Sequence, residues 1–250
     1  MGKRIDDQII LKYVEERLPD FHEARLKSIQ SISLEKVLSR KNPYLLRAKG
    51  LETPAALVGA VLAAHLSSQE ETLLGNFLEG LAIYLCNFVH RSGQKSTARG
   101  IDLQFQSNGR LYLVAIKSGP NWGNSSQISQ MVENFKTAGR IYRQSKGALP
   151  MEFINGCCYG RSTDKGQEKG SYRKLCGQKF WEFITGDREL YKRIIEPIGH
   201  RARERNLHFQ GRYEEVVEGF ARQFRERFCK DGVISWEALA EFVSGSRDEV

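Results

Sequence analysis

The chain has 250 residues, 40% of them hydrophobic and 27% charged, which is enough to bury a full core in one or two soluble domains. No apolar run is read as reaching the roughly 18–20 residues of a membrane span, the opening "MGKRIDDQII" lacks a signal-peptide core, and Asp6 stands where a myristoylation signal needs Ser or Thr. A net charge of +8 points instead to a polyanionic partner, nucleic acid first.

Residues 3–38 carry apolar side chains at helical spacing (Ile5, Ile9, Ile10, Tyr13, Val14, Leu18), and a break is expected near Pro19-Asp20. "KNPYLLRAKG" (41–50) reads as a turn-rich link. Thr53-Pro54 opens a short apolar helix, and a Ser-x-x-Glu capping box at Ser68–Glu71 opens a second one reaching about His90. A polar loop (91–100) leads to two apolar runs flanking Asn108-Gly109, a strong signal for a two-residue hairpin turn. An amphipathic helix (124–144), a buried strand (151–160), a Gly- and Lys-rich loop (161–177) that has room for a short strand, and four C-terminal helical segments complete the chain. Helices first, then a few strands wrapped by helices, predict an α/β (α+β) fold, a mixed sheet flanked by helices with an N-terminal helical region. The expected division is 1–67, helical, and 68–250, carrying the sheet. Five cysteines without a CxxC pair and five scattered histidines fit neither a disulfide framework nor a zinc site, and suit a reducing cytoplasm.

The chemistry concentrates in "GIDLQFQSNGRLYLVAIKSG" (100–119). With Asn108 and Gly109 as the turn, Ser107 faces Arg110 and Asp102 faces Ala115. Strand alternation puts Asp102, Ala115 and Lys117 on one face; Ile101, Leu103, Phe105, Tyr112, Val114 and Ile116 form the core face. Diagonal neighbours lie about 7–8 Å apart, so Asp102 and Lys117 can share a site with the small alanine between them. A solvated cross-strand ion pair is the plainer reading.

Upstream, Glu79 is the only charged residue between Thr72 and Val89, on a helix side shared with Ile83 and Cys86. A carboxylate in such surroundings is normally paired, protonated or metal-bound; pairing with a nearby Lys or Arg is the bland alternative. Two carboxylates suit Mg²⁺, which takes oxygen ligands and keeps several waters. A neighbouring lysine can hold or deprotonate water and stabilise charge on phosphate.

An Asp, a hairpin, and x-x-Lys ending the second strand resemble the PD-(D/E)xK nuclease superfamily. The ordered set "NPYL" (42–45), the Glu79 helix, "GID" (100–102), "AIKSG" (115–119), a glutamine-bearing helix, "CYGRSTDK" (158–165), "YRKLCG" (172–177) and "KFWEFITG" (179–186) is similar to type II restriction endonucleases that cut GGNCC-centred sites. The resemblance implies Mg²⁺-dependent hydrolysis of double-stranded DNA, with Asp102 as metal ligand, the Ile116 carbonyl completing the metal shell and Lys117 as the catalytic lysine. Ala115 departs from the pattern by occupying the position of the second acid. Glu79 is the first candidate to replace it and Glu133 the second. A repair or junction nuclease, and a catalytically inactive DNA-binding protein, are the rival functions.

For DNA contacts the reading singles out the helix start at Asn124 and Ser126, with Gln127 and Gln130 behind it. Between Lys136 and Lys179 lie ten Lys/Arg against three acids; Arg161, Lys165, Arg173 and Lys174 are the candidates for base or phosphate contact. A symmetric target implies a homodimer, with the N-terminal helices as the candidate contact.

Overall fold

The computed structural model describes residues 4–146, 149–161, 168–169 and 171–246. Lys165 lies outside them. The chain forms two compact units, residues 1–19 with 74–200 and residues 20–73 with 201–250. The division therefore differs from the expected boundary at 67/68. The C-terminal helices group with the early helical segment, because Phe209, Phe220, Phe224, Phe228 and Leu239 share one core with Leu34, Val37, Leu57, Val61 and Leu62.

This helical unit contains the second part of α1 (Asp7–Gln30), then α2 (Leu34–Leu38), α3 (Pro43–Ala48) and the first half of α4 (Pro54–His90). From the C-terminal segment it adds α9 (Ala202–Phe228), the strands β7 (Cys229–Lys230) and β8 (Val233–Ile234), and α10 (Trp236–Ser244). Three expectations are corrected here. The helix runs through Pro19 without a break, as a proline removes one N–H from the ladder but leaves the rest of it. "NPYLLRA" is a helix, α3, capped by Asn42, whose side chain accepts from the Tyr44 and Leu45 amides. Ser68–Glu71 does not start a helix: α4 is one helix of 37 residues, with Thr53 as the capping hydroxyl. Fused in this way, α4 is long and apolar enough by length and composition to cross a membrane, contrary to the reading of its two separate pieces. Its apolar residues instead enter two cores, Leu57–Leu66 in this unit and Phe77–Cys86 in the other.

The second unit holds a six-stranded sheet in the order β1-β2-β3-β4-β6-β5. The strands are β1 (Gln94–Lys95), β2 (Leu103–Ser107), β3 (Arg110–Lys117), β4 (Met151–Cys157), β5 (Glu168–Lys169) and β6 (Tyr172–Cys176). β3, β4 and β6 run parallel; β1, β2 and β5 are antiparallel to their neighbours. The hairpin has the expected register, Ser107 opposite Arg110 and Leu103 opposite Val114. Both turn residues sit in the left-handed region, Asn108 at φ 49° and Gly109 at φ 70°, as a two-residue turn of this hand requires.

One face expectation is corrected. Both faces of the hairpin are covered, so apolar alternation does not mark a single core face. α5 (Ser125–Lys146), the crossover between β3 and β4, buries Leu111, Leu113 and Ala115 under Met131, Phe135, Ala138 and Tyr142. Ile101, just ahead of β2, joins this same cluster. On the opposite face Phe105 stacks on His90 of α4 and meets Phe183 of α6 (Gln178–Thr185), as does Tyr112. Buried parallel strands carry apolar residues on both sides for this reason. Two short helices, α7 (Leu190–Arg193) and α8 (Ile195–Gly199), follow, and the chain start is pinned beside them: Asp187 accepts from the Ile5 amide at 3.0 Å and pairs with Arg193.

Candidate active site

Asp102 lies one residue ahead of β2, where the hairpin pairing ends. Its own amide donates to the Val114 carbonyl at 2.9 Å, and its carboxylate oxygen Oδ2 accepts the Ile116 amide at 2.7 Å. The acid is thereby fixed across the hairpin, one residue before Lys117. Within a strand, N–H and C=O of one residue point to the same side, so the Ile116 carbonyl emerges toward Asp102 and away from β4. Ala115, opposite Asp102, is fully buried in the cluster under α5. Its small size serves that close helix packing as well as leaving space between the two charges.

Glu79 comes from α4. One turn earlier, Gly75 faces Ser118, so that a Cβ on residue 75 would stand 3.5 Å from the Ser118 Cβ. Residues 75 and 79 share a helix side, and this approach brings Glu79 to the strand ends. The Glu79 side chain is 23% exposed, and Lys95 of β1 donates to its Oε1 at 3.3 Å. Its carboxyl pKa is raised above the ordinary value, first by burial and then by the negative charge of Asp102, while Lys95 and Lys117 pull it down. Glu79 is thus paired with Lys95 and lies within electrostatic reach of Asp102. Lys95 is the residue the sequence reading missed; a two-residue edge strand leaves no periodic signal.

Lys117 ends β3 at the C-terminal side of the parallel strands, where open α/β sheets place their sites. Its ammonium lies 5.0 Å from the centre of the Trp122 ring. Beneath the cluster, Cys158 is buried, and its thiol pKa is pushed well up by burial, then by Cys157, Glu79 and Asp102.

The remaining candidates separate. Glu133 is 56% exposed and sits among Lys136 and Arg140 on its own helix. Asn124 and Gln127 are spent on a reciprocal cap of α5: the Asn124 Oδ1 accepts the Gln127 amide and the Ser126 hydroxyl, and the Gln127 Oε1 in turn accepts the Asn124 amide at 3.0 Å. Gln130 donates to Asn134. Arg173 pairs with Glu152 across the sheet, and Lys174 donates to the Pro120 carbonyl at 2.7 Å, tying down the loop after Lys117. Arg161 is exposed and lines a cavity of about 810 Å³ with Tyr159, Gln178 and Lys179, beside Leu78 and Cys158.

Among the described residues, no group of three or more His, Cys, Asp or Glu gathers as a metal site. The pair Asp102 and Glu79 nevertheless fits a hard cation. Both offer oxygen, burial and then the charge of Asp102 raise the Glu79 carboxyl pKa, and Mg²⁺ needs only one or two protein carboxylates when phosphate and water fill the rest.

Residues 8–206 match the family model described as type II restriction endonuclease EcoO109I. No curated protein matches the chain significantly.

Proposed function

The chain belongs to the EcoO109I family of type II restriction endonucleases, site-specific enzymes that hydrolyse DNA, and we propose that it does so with a PD-(D/E)xK-type site made of Asp102, Glu79 and Lys117. The observation that carries this reading is the packing of α4 against the strand ends, where Gly75 meets Ser118 and a half-buried Glu79 carboxylate lies one turn further on, within electrostatic reach of Asp102 and Lys117. The acid missing at Ala115 is supplied from a helix.

In this reading Asp102, Glu79 and the Ile116 carbonyl hold a divalent cation, Mg²⁺ as the hard oxygen-seeking choice. When bound, the cation neutralises phosphate charge and acidifies water. The chain's own residues do the rest. The Ile116 amide orients the Asp102 carboxylate. Lys117 holds the attacking water by its Nζ and balances the negative charge that builds up as the water oxygen bonds to phosphorus and its proton passes to solvent. The phosphorus–O3′ bond breaks in line, O3′ takes a proton from solvent, and a 5′-phosphate is left. Lys95 neutralises Glu79 in the absence of the cation.

DNA is the substrate of this family. The target is proposed to be a GGNCC-centred duplex, on the resemblance of the ordered motifs. Arg161 is the exposed base on the described surface best placed for DNA; Ser126 and Gln130 offer polar contacts from α5, whereas Arg173 and Lys174 support the sheet and loop. A symmetric target is matched by a homodimer, and Tyr44 and Leu45 of α3, 72% and 53% exposed, give the helical unit an apolar surface for it. All five cysteines are free, four of them buried, which supports the cytoplasm as the compartment.

The test is cleavage of a long defined duplex with Mg²⁺ by the parent protein, Asp102→Ala and Glu79→Ala. Discrete fragments from the parent alone are expected. Fragments persisting in Asp102→Ala would remove the site.

A further inference from the structure

The helical unit contains a cavity of about 480 Å³ framed by α1, α2 and α4. Its wall includes Ser28, Lys36, Arg40, His65, Ser68 and Gln69 and carries no carboxylate. Among the described residues Lys36 and Arg40 make no ion pair, and both side chains are exposed at the cavity. Two polar atoms, Ser28 Oγ and Gln69 Oε1, are buried there without a hydrogen-bond partner. Buried groups of this kind normally have one. The imidazole of His65 is held below its ordinary pKa by burial and by the positive charges of Lys41, Arg40 and Lys36, with no acid opposing them.

We infer that this cavity is a phosphate-binding site. A guanidinium and an ammonium at its mouth supply charge-assisted bonds to phosphate oxygens. Ser28, Ser68 and the Gln69 amide, turned to present its NH₂, supply neutral donors within. The volume lies in the range of small-molecule pockets, about 300–1,000 Å³, and exceeds the needs of a bare phosphate. None of these residues belongs to the Asp102–Glu79–Lys117 cluster, and the inference does not depend on that cluster being catalytic. The phosphate has two sources, the DNA backbone and a free phosphate or mononucleotide.

The experiment follows the His65 ring resonances of the full-length protein, assigned with His65→Asn, during titration with inorganic phosphate and separately with a duplex lacking a cleavage site. Chloride at equal ionic strength is the control. The comparison variant is Lys36→Gln/Arg40→Gln, whose two side chains are exposed and whose melting temperature confirms the fold. If the backbone is the source, the duplex moves His65, the variant binds duplex at least tenfold more weakly, and the salt slope drops by about 2. If the source is free phosphate, inorganic phosphate moves His65 at millimolar concentration in the parent and not in the variant, while duplex affinity stays unchanged. His65 resonances that respond to neither ligand overturn the inference, even where the variant loses DNA affinity, because that loss would then be general surface electrostatics.

Discussion

The Asp102 carboxylate and the Ile116 amide are joined across the hairpin by a hydrogen bond of 2.7 Å. The bond fixes the acid at the end of β2 relative to the lysine that ends β3. It also satisfies an amide that β2 is too short to pair. Asp102→Asn keeps an acceptor for Ile116, whereas Asp102→Ala leaves a buried donor unpaired, at a cost of about 1–3 kcal/mol. Both variants are expected to lose cleavage, but only Asp102→Ala loses stability in urea denaturation. Equal stability of the two would mean that the bond does not hold the hairpin end.

Glu79 and Glu133 compete for the role of the second acid. Glu79→Gln is expected to reduce single-turnover cleavage by at least 100-fold, in the range of a lost catalytic group. Glu133→Gln is expected to stay within about threefold, since Glu133 faces solvent between Lys136 and Arg140 and exposed pairs of this kind contribute about 0–1 kcal/mol. The reverse ranking would move the site to α5.

What the sequence reveals and what it hides follow one physical line. The hairpin was legible because Asn108-Gly109 admits few turns and because a two-residue turn fixes every pairing behind it. The isolation of Glu79 in an apolar stretch is likewise visible in the sequence itself. Long-range choices left no such trace. The fusion of two helix patterns into α4, the partnership of residues 201–250 with residues 20–73, and the covering of Ala115 by α5 all depend on which surfaces meet. Polar residues at the start of α5 suit DNA contact by composition, yet Asn124 and Gln127 satisfy the helix end itself.

The pH dependence follows from Glu79. Burial and Asp102 raise its pKa in the folded chain, so its ionised form costs the folded state something the unfolded chain does not bear. Stability from this group is therefore full below the unfolded value and falls as pH rises through the folded one. Glu79→Gln should accordingly raise the melting temperature of the metal-free protein slightly at pH 7 and leave it unchanged below pH ~4. Cation binding needs the carboxylate, so the acid limb of cleavage should lie above that of an ordinary glutamate. Lys95 lowers the same pKa, and Lys95→Met should shift this limb further toward neutral pH in a pH–rate profile. A shift toward acid would contradict the assignment of Lys95 to Glu79.

Trp122 tests the geometry on the other side of the site. Its ring centre lies 5.0 Å from the Lys117 ammonium, so it limits the rotamers of that side chain and holds the charge over its π face. A contact of this type is worth about 0.5–2 kcal/mol, and Trp122→Leu should slow single-turnover cleavage by about 3- to 30-fold. Trp122→Phe retains a π face and should recover much of the loss. An equal loss in both variants would make Trp122 packing for the loop rather than a support for the lysine.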